Sequence, residues 1–244
     1  ASQYVAEMSG GKSNLTITLL EGIWNSEYDE SYWGTDSDIE RDTGQGSDGA
    51  RELAKKAIES QISGYDLSDW DLDGDFVVDR LLILHSGTPQ EEGGPTSSIW
   101  SHFSHFYEPI LIGDYRIEHY TMASIHGGLG VTMHEMLHQM GALDLYDVHS
   151  DSPTKTWHGL GDWDIMASGN WIGEGTTPSL PSSSTLNLIG ASEPTLVDYK
   201  LDQNISINPS GAGGQPLRID LADGELIWIT YRADIGFDSG LPGH

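Results

Sequence analysis

The chain has 244 residues, with 38 aspartates and glutamates against 11 lysines and arginines, a formal net charge of -27. Such an excess repels nucleic acid and anionic membrane surfaces over a screening length of about 8–10 Å, which excludes the polyanion-binding classes. No apolar run reaches the length of about 18 residues that a membrane span needs, and the absence of cysteine excludes disulfides and thiolate chemistry.

The acidity serves solubility, and part of it can gather to hold hard cations such as calcium. The length suits one large domain or two subdomains around a cleft. No basic stretch followed by an apolar one opens the chain, so an exported form would carry its targeting segment outside this sequence. The turn-like "DSGLPGH" at the other end predicts that part of the protein lies beyond His244.

In chain order, "TITLLEGIW" from Thr16 predicts a strand. From Gly49 to Ile62, "GARELAKKAIESQI" sets Ala50, Leu53, Ala54, Ala57, Ile58 and Ile62 at helical spacing, with Ser47 or Asp48 as N-cap. The run "FVVDRLLILHSG" from Phe76 predicts a buried strand ended by Ser86 and Gly87, and "YRIEHYTM" from Tyr115 and "ELIWITYR" from Glu225 predict further strands. Rich in Pro, Ser and Thr, "GTTPSLPSSST" from Gly175 to Thr185 predicts a loop or connection.

Ahead of the Phe76 run, "DWDLDGDFVVD" alternates carboxylates at Asp69, Asp71, Asp73, Asp75 and Asp79. Alternating acids in a glycine-containing turn can direct several oxygens at a calcium ion, at about 2.3–2.6 Å. An EF-hand-like register starting at Asp69 puts Gly74 sixth, and one starting at Asp71 puts Asp79 ninth. Neither supplies a glutamate at the twelfth position, where Arg80 and Leu82 stand. Asp71, Asp73, Asp75 and Asp79 are the candidate calcium ligands; the alternative is an acidic, solvated turn.

The stretch "TMHEMLHQMGALDLYD", Thr132 to Asp147, carries the chemistry. Residues four apart share a helix face, so His134 and His138 can present two imidazoles to one zinc ion at about 2.0–2.1 Å. Glu135, on the adjoining turn, has the position of a general base. Gly141 can end the helix in a left-handed conformation and let Asp144 return as third ligand, with Asp147 as the alternative. A bare H-E-x-x-H arises by chance in helices; the added glycine and acid at set spacing make the pattern specific. The remaining histidines lack such spacing: His102 is expected in a hydrogen-bonded structural role, and His85, His105, His119, His126, His149 and His158 receive no chemistry. Asn14 and Asn204 begin N-x-[ST] sequons, a pattern short enough to be accidental.

Met166, in "GDWDIMASGNW", resembles the Met-turn methionine beneath the metal of metzincin peptidases, where Ser168 replaces the tyrosine that many metzincins carry two residues later. More specifically, "DLDGDFVVDRLLILHSG", "IWSHF", "HEMLHQMGALDLYD", "WDIMASG" and "YRADIGFDSGLPG" resemble, in order, the catalytic domain of the immune inhibitor A family of secreted metallopeptidases. The resemblance spans Tyr65 to Gly243, and "YVAEMSGGK" resembles the start of the family's catalytic segment.

That resemblance implies an α+β, zincin- or metzincin-like fold: a twisted mixed sheet with the active-site helix in residues 1–141, and a smaller irregular subdomain in 142–244 carrying the third ligand and Met-turn. It implies a zinc-dependent endopeptidase acting outside the cell on protein or peptide substrates, with Glu135 as general base on zinc-bound water. A propeptide and further C-terminal sequence would accompany it. Tyr146 and Tyr231 are the candidates for a second oxyanion donor. The rival readings are a calcium-stabilised binding or adhesion module with a vestigial zinc site, and a hydrolase of non-peptide bonds.

Overall fold

A computed structural model describes residues 1–46, 48–148 and 159–243. Its principal elements, in chain order, are α1 (Ser2–Met8), α2 (Glu30–Gly34), α3 (Gly49–Gln61), β1 (Leu82–His85), β2 (His102–Ile112) and β3 (Tyr115–Ser124), then α4 (Leu129–His138), α5 (Ser183–Leu188), β4 (Thr195–Leu196), β5 (Leu217–Asp220) and β6 (Leu226–Ile229). The protein is thus α+β, with two small mixed sheets. Among the described residues no helix is long and apolar enough to cross a membrane.

The chain divides into two compact units, Thr18–Gly127 and the combination of Ala1–Ile17 with Gly128–His244. In the first, β3 is the central strand, parallel to β1 and antiparallel to β2. The apolar stripe of α3 buries Ala50, Leu53 and Ala54 with Trp33, Ile99, Tyr120 and Met122. One turn on, Ile58 and Ile62 pack with Leu67, Val78, Ile110 and Ile117. The helical spacing read from Gly49 is therefore borne out to within a residue, Ile62 being the C-cap.

Asp48 is the N-cap, but at φ +81° it makes no side-chain cap; its carboxylate turns to Arg51 Nη1 at 2.6 Å. Ser47 lies outside the described residues.

Two strand expectations need correction. Residues 16–24 form no strand: Ile17, Leu19 and Ile23 are 58%, 84% and 88% exposed. Strand-forming side chains stabilise a strand only against neighbours, and these have none to pack on. The Phe76 run contributes only a single bridge, Val77 to Arg116, before β1 begins at Leu82. β1 is also half-buried rather than buried, since it lies at the edge of its sheet and leaves Leu84 49% exposed.

In the second unit β5 is central, parallel to β4 and antiparallel to β6, which occupies part of the expected "ELIWITYR" strand. The loop read from Gly175 runs to Ser182, whose hydroxyl caps α5 by accepting from Thr185 N, so its last three residues are helical. Buried in this unit are Tyr4, Met8, Met133, Leu137, Ile165, Met166 and Leu180. Helix α4 approaches the backbone at Asn170 so closely that a Cβ on Gly130 would overlap the Asn170 carbonyl oxygen. Gly130 N donates to Gly175 O at 2.8 Å in the same place. This unit holds both α4 and the Met166 turn.

Candidate metal centre

α4 ends at His138, and Gly141 follows at φ +93°. Ala142 N bonds back to Leu137 O at 3.1 Å, which closes the helix and reverses the chain. The reversal returns Asp144 to the helix face that carries both imidazoles. Asp144 Oδ1 stands 3.1 Å from His134 Nε2 and 3.3 Å from His138 Nε2.

The other nitrogen of each ring is already engaged. His134 Nδ1 lies 2.8 Å from Ile165 O, and His138 Nδ1 lies 2.9 Å from Ala142 O. A carbonyl oxygen only accepts, so each Nδ1 carries the proton and each neutral ring turns its Nε2 lone pair toward Asp144. Asp144 Oδ1 is buried and accepts no aligned hydrogen bond. With Nδ1 protonated, neither Nε2 has a proton to donate to Asp144 Oδ1, so two ring lone pairs and a carboxylate oxygen stand 3.1 and 3.3 Å apart.

That arrangement fits a tetrahedral cation. Two ligands at about 2.0–2.1 Å from a tetrahedral zinc lie about 3.3–3.4 Å apart, close to the two separations here. Nitrogen, nitrogen and carboxylate oxygen are also a donor set that zinc accepts. Glu135 is 8% exposed, and its Oε1 is 3.9 Å from His134 Nε2. It lies beside the cluster and farther from His134 than Asp144 does.

The electrostatics agree with close charge coupling. Burial disfavours charge on both rings, but Asp144 and Glu135, with the Ile165 and Ala142 carbonyls, together outweigh it and hold each pKa above the usual histidine value of 6.5. Burial likewise pushes the Asp144 carboxyl up, and the two imidazoles hold it well below the usual carboxylate range. Met166 is completely buried, and the Tyr146 ring centroid is 6.3 Å from that of His134. Tyr231, the other tyrosine considered, is 48% exposed and bridges to Pro209. Ser168 opens a short 3-10 turn, Ser168–Trp171.

In the acidic loop, carboxylate oxygens of Asp71, Asp73 and Asp79 lie within 4.8 Å of one another. Asp75 is outside that group, and its Oδ1 instead accepts from Val77 N at 2.8 Å. The Asp71 carboxylate organises the turn by accepting from Gly74, Asp75 and Phe76 N. Phe76, sixth in the Asp71 register, holds the left-handed conformation usual for glycine there, at φ +65°. His102 has both nitrogens occupied, by Trp100 O at 2.7 Å and Tyr120 Oη at 3.0 Å, in the structural role expected of it.

With this geometry in place, comparison with known families is decisive. The description "Immune inhibitor A peptidase M6, catalytic domain" matches residues 1–187. The chain belongs to the immune inhibitor A (M6) peptidase family. It is 31% identical over 210 aligned residues to "Immune inhibitor A" of Bacillus thuringiensis subsp. alesti, covering 72% of this chain and 30% of that protein. It is 28% identical over 210 residues to "Pre-pro-metalloprotease PrtV" of Vibrio cholerae serotype O1 (strain M66-2), covering 72% of this chain and 22% of that protein. The chain thus spans less than a third of the length of these relatives.

The fold of this M6 chain also brings up residues that sequence reading passed over. Asp164 is fully buried, and its carboxylate accepts from Met166 N and Ser182 N, each at 2.7 Å. Arg232 pairs with buried Asp238 and donates to Trp163 O and Leu180 O, each at 3.0 Å. Asp164 was visible only as an acid two residues before Met166. Ile165 and Ala142 act through main-chain carbonyls, for which no residue type is a signal.

Proposed function

We propose that this chain is the catalytic part of a zinc-dependent endopeptidase that hydrolyses protein substrates outside the cell. His134, His138 and Asp144 would hold the zinc, and Glu135 would serve as general base. The observation that carries the reading is Asp144 Oδ1, buried and without an aligned hydrogen bond, 3.1 Å and 3.3 Å from two Nε2 atoms whose rings are fixed by carbonyls. Membership of a peptidase family supports the reaction class.

When bound, the metal supplies Lewis-acid chemistry, lowering the pKa of water toward about 7 and polarising the scissile carbonyl. The Glu135 carboxylate takes a proton from the attacking water and passes it to the departing amine nitrogen, so that one water is added across the peptide bond. Nδ1–H donation to Ile165 and Ala142 keeps both imidazoles in the ligating tautomer through the cycle. Met166, fully buried, would serve as the Met-turn residue, its apolar side chain keeping water from the ligands.

The reading extends to a zincin-like fold of the metzincin type, with an N-terminal part in 1–141 and a C-terminal part in 142–244. A calcium ion in the Asp71 loop would stabilise it, with Asp71, Asp73 and Asp79 as the converging ligands and Asp75 turned to the backbone. Synthesis as a precursor is supported by the name of PrtV, which marks that relative as a pre-pro form.

The test is cleavage of unfolded casein by the wild type and Glu135→Ala, with zinc content measured on both. Loss of cleavage with zinc retained is the expected result. Equal cleavage removes Glu135 as base, and a wild type that binds zinc without cleaving would favour a binding module instead.

A further inference from the structure

The metal ligands do not hold themselves in place; the turn from Asp164 to Met166 does. Its Ile165 carbonyl accepts from His134 Nδ1 at 2.8 Å, and its Met166 carbonyl accepts from Leu145 N, next to Asp144, at 2.7 Å. Two successive peptide carbonyls therefore hold the ring of one proposed ligand and the main chain beside another. Successive carbonyls serve separate partners only while the turn keeps one shape.

That shape traces to one side chain. Asp164 Oδ1 accepts from Met166 N at 2.7 Å, closing the turn over Ile165. Asp164 Oδ2 accepts from Ser182 N at 2.7 Å and Thr185 Oγ1 at 3.1 Å, tying the turn to the start of α5. Its own carbonyl accepts from Ala167 N and Gly169 N at 2.9 and 3.1 Å. A carboxylate that is 0% exposed and takes three donors is a rigid joint, because any movement leaves a buried acceptor or donor unmet.

We propose that Asp164 is a positioning residue of the metal centre: it fixes the Ile165 and Met166 carbonyls, and through them the His134 ring and the main chain at Asp144. This rests on the zinc reading above. The isosteric Asp164→Asn separates positioning from bulk, since an amide that accepts from Met166 N must face its NH2 donors against Ser182 N–H, while the Thr185 hydroxyl can turn to accept. Thr185→Val removes a single donor from the same carboxylate. Phe237→Leu is the control: Phe237 is buried in the same unit, edge-on to Tyr4 at 4.9 Å, and its loss lowers stability without removing a donor to the Asp164 carboxylate.

The experiment measures zinc affinity by competition with a fluorescent chelator, the visible spectrum of the cobalt-substituted protein, and the melting temperature of each variant. Asp164→Asn is expected to weaken zinc binding about 10–100-fold, the usual cost of losing an outer support, with altered cobalt bands. Thr185→Val is expected to weaken it less, in the same direction. Phe237→Leu is expected to lower the melting temperature with affinity and spectrum unchanged.

Wild-type affinity in Asp164→Asn overturns the proposal, as does equal weakening in Phe237→Leu, which would make the effect one of general stability. Should Asp164→Asn not fold, Thr185→Val decides, and wild-type affinity there overturns it. Failure of the zinc reading looks different: the wild type would bind no stoichiometric zinc, or His134→Ala would bind it as well as the wild type.

Discussion

The main-chain carbonyl of Met166 accepts the amide of Leu145 at 2.7 Å, joining the turn after Asp164 to the segment that carries Asp144. A methionine expected for its side chain thus also contributes its backbone. The residue after the third proposed ligand is tied to a carbonyl 21 residues further along the chain.

Asp144→Ala should release the metal. Removing one of three ligands is expected to cost more than the ~10–100-fold typical of outer supports. The check is zinc content after dialysis, by elemental analysis. Full retention would move the third ligand to another group, Asp147 being the first alternative.

Glu135→Gln should separate binding from chemistry. It keeps the shape of the side chain but cannot take up a proton, so cleavage should fall by about 10²–10⁴, the usual share of a general base. Zinc content should be unchanged, and cleavage kinetics on an unfolded protein substrate measure the loss.

Calcium should raise the melting temperature of the wild type. Saturation at 100 times the dissociation constant corresponds to about 2.7 kcal/mol. Asp71→Ala should abolish the increment, because Asp71 both joins the carboxylate group and organises the turn. Differential scanning fluorimetry with and without calcium measures it. An increment that survives the substitution places the ion elsewhere.

Asp42 should make stability fall with rising pH. Burial, against hydrogen bonding from Trp100 N, pushes its carboxyl from 3.8 up to about 8. The folded protein therefore binds that proton more tightly than the unfolded chain, and the contribution is lost as pH rises toward 8. His85 works oppositely: burial lowers it from 6.5 to about 4, so its contribution is complete above 6.5 and lost as pH falls. Above 6.5 the Asp42 effect is no longer opposed by His85. Urea denaturation at pH 6.5 and 8 should show a decline in the wild type that is smaller in Asp42→Asn; an identical decline refutes it.

Gly130→Ala should destabilise the unit that holds the metal centre. The added Cβ would overlap the Asn170 carbonyl oxygen, and overpacking of this kind costs about 1–3 kcal/mol. Urea denaturation measures the loss, and an unchanged midpoint would mean that the backbone at Asn170 yields.

Local signals were legible where the chemistry is local. The period of α3, the pair His134 and His138 and the stop at Gly141 all follow from spacing along one helix. Strand pairing was less legible, because it depends on partners: the residues after Thr16 have strand composition but no strand paired to them, and β1 is shortened at a sheet edge. The supports of the candidate site were least legible. Asp164 reaches 18 residues forward to Ser182, and Ile165 contributes an oxygen that every residue possesses. Spacing rules hold within a helix turn and say nothing about such distances.

The carbonyls of Ala142 and Ile165 set the two histidine rings. No point substitution deletes a peptide oxygen, so at positions 142 and 165, both buried, the side chain is constrained by packing and not by the hydrogen bond to the histidine. A substitution at either position that fits the core would leave the carbonyl in place, whereas an inserted or deleted residue between Asp164 and Met166 would misalign the histidine with every ligand still present. For a redesign of this centre, chain length in that turn is the quantity to preserve.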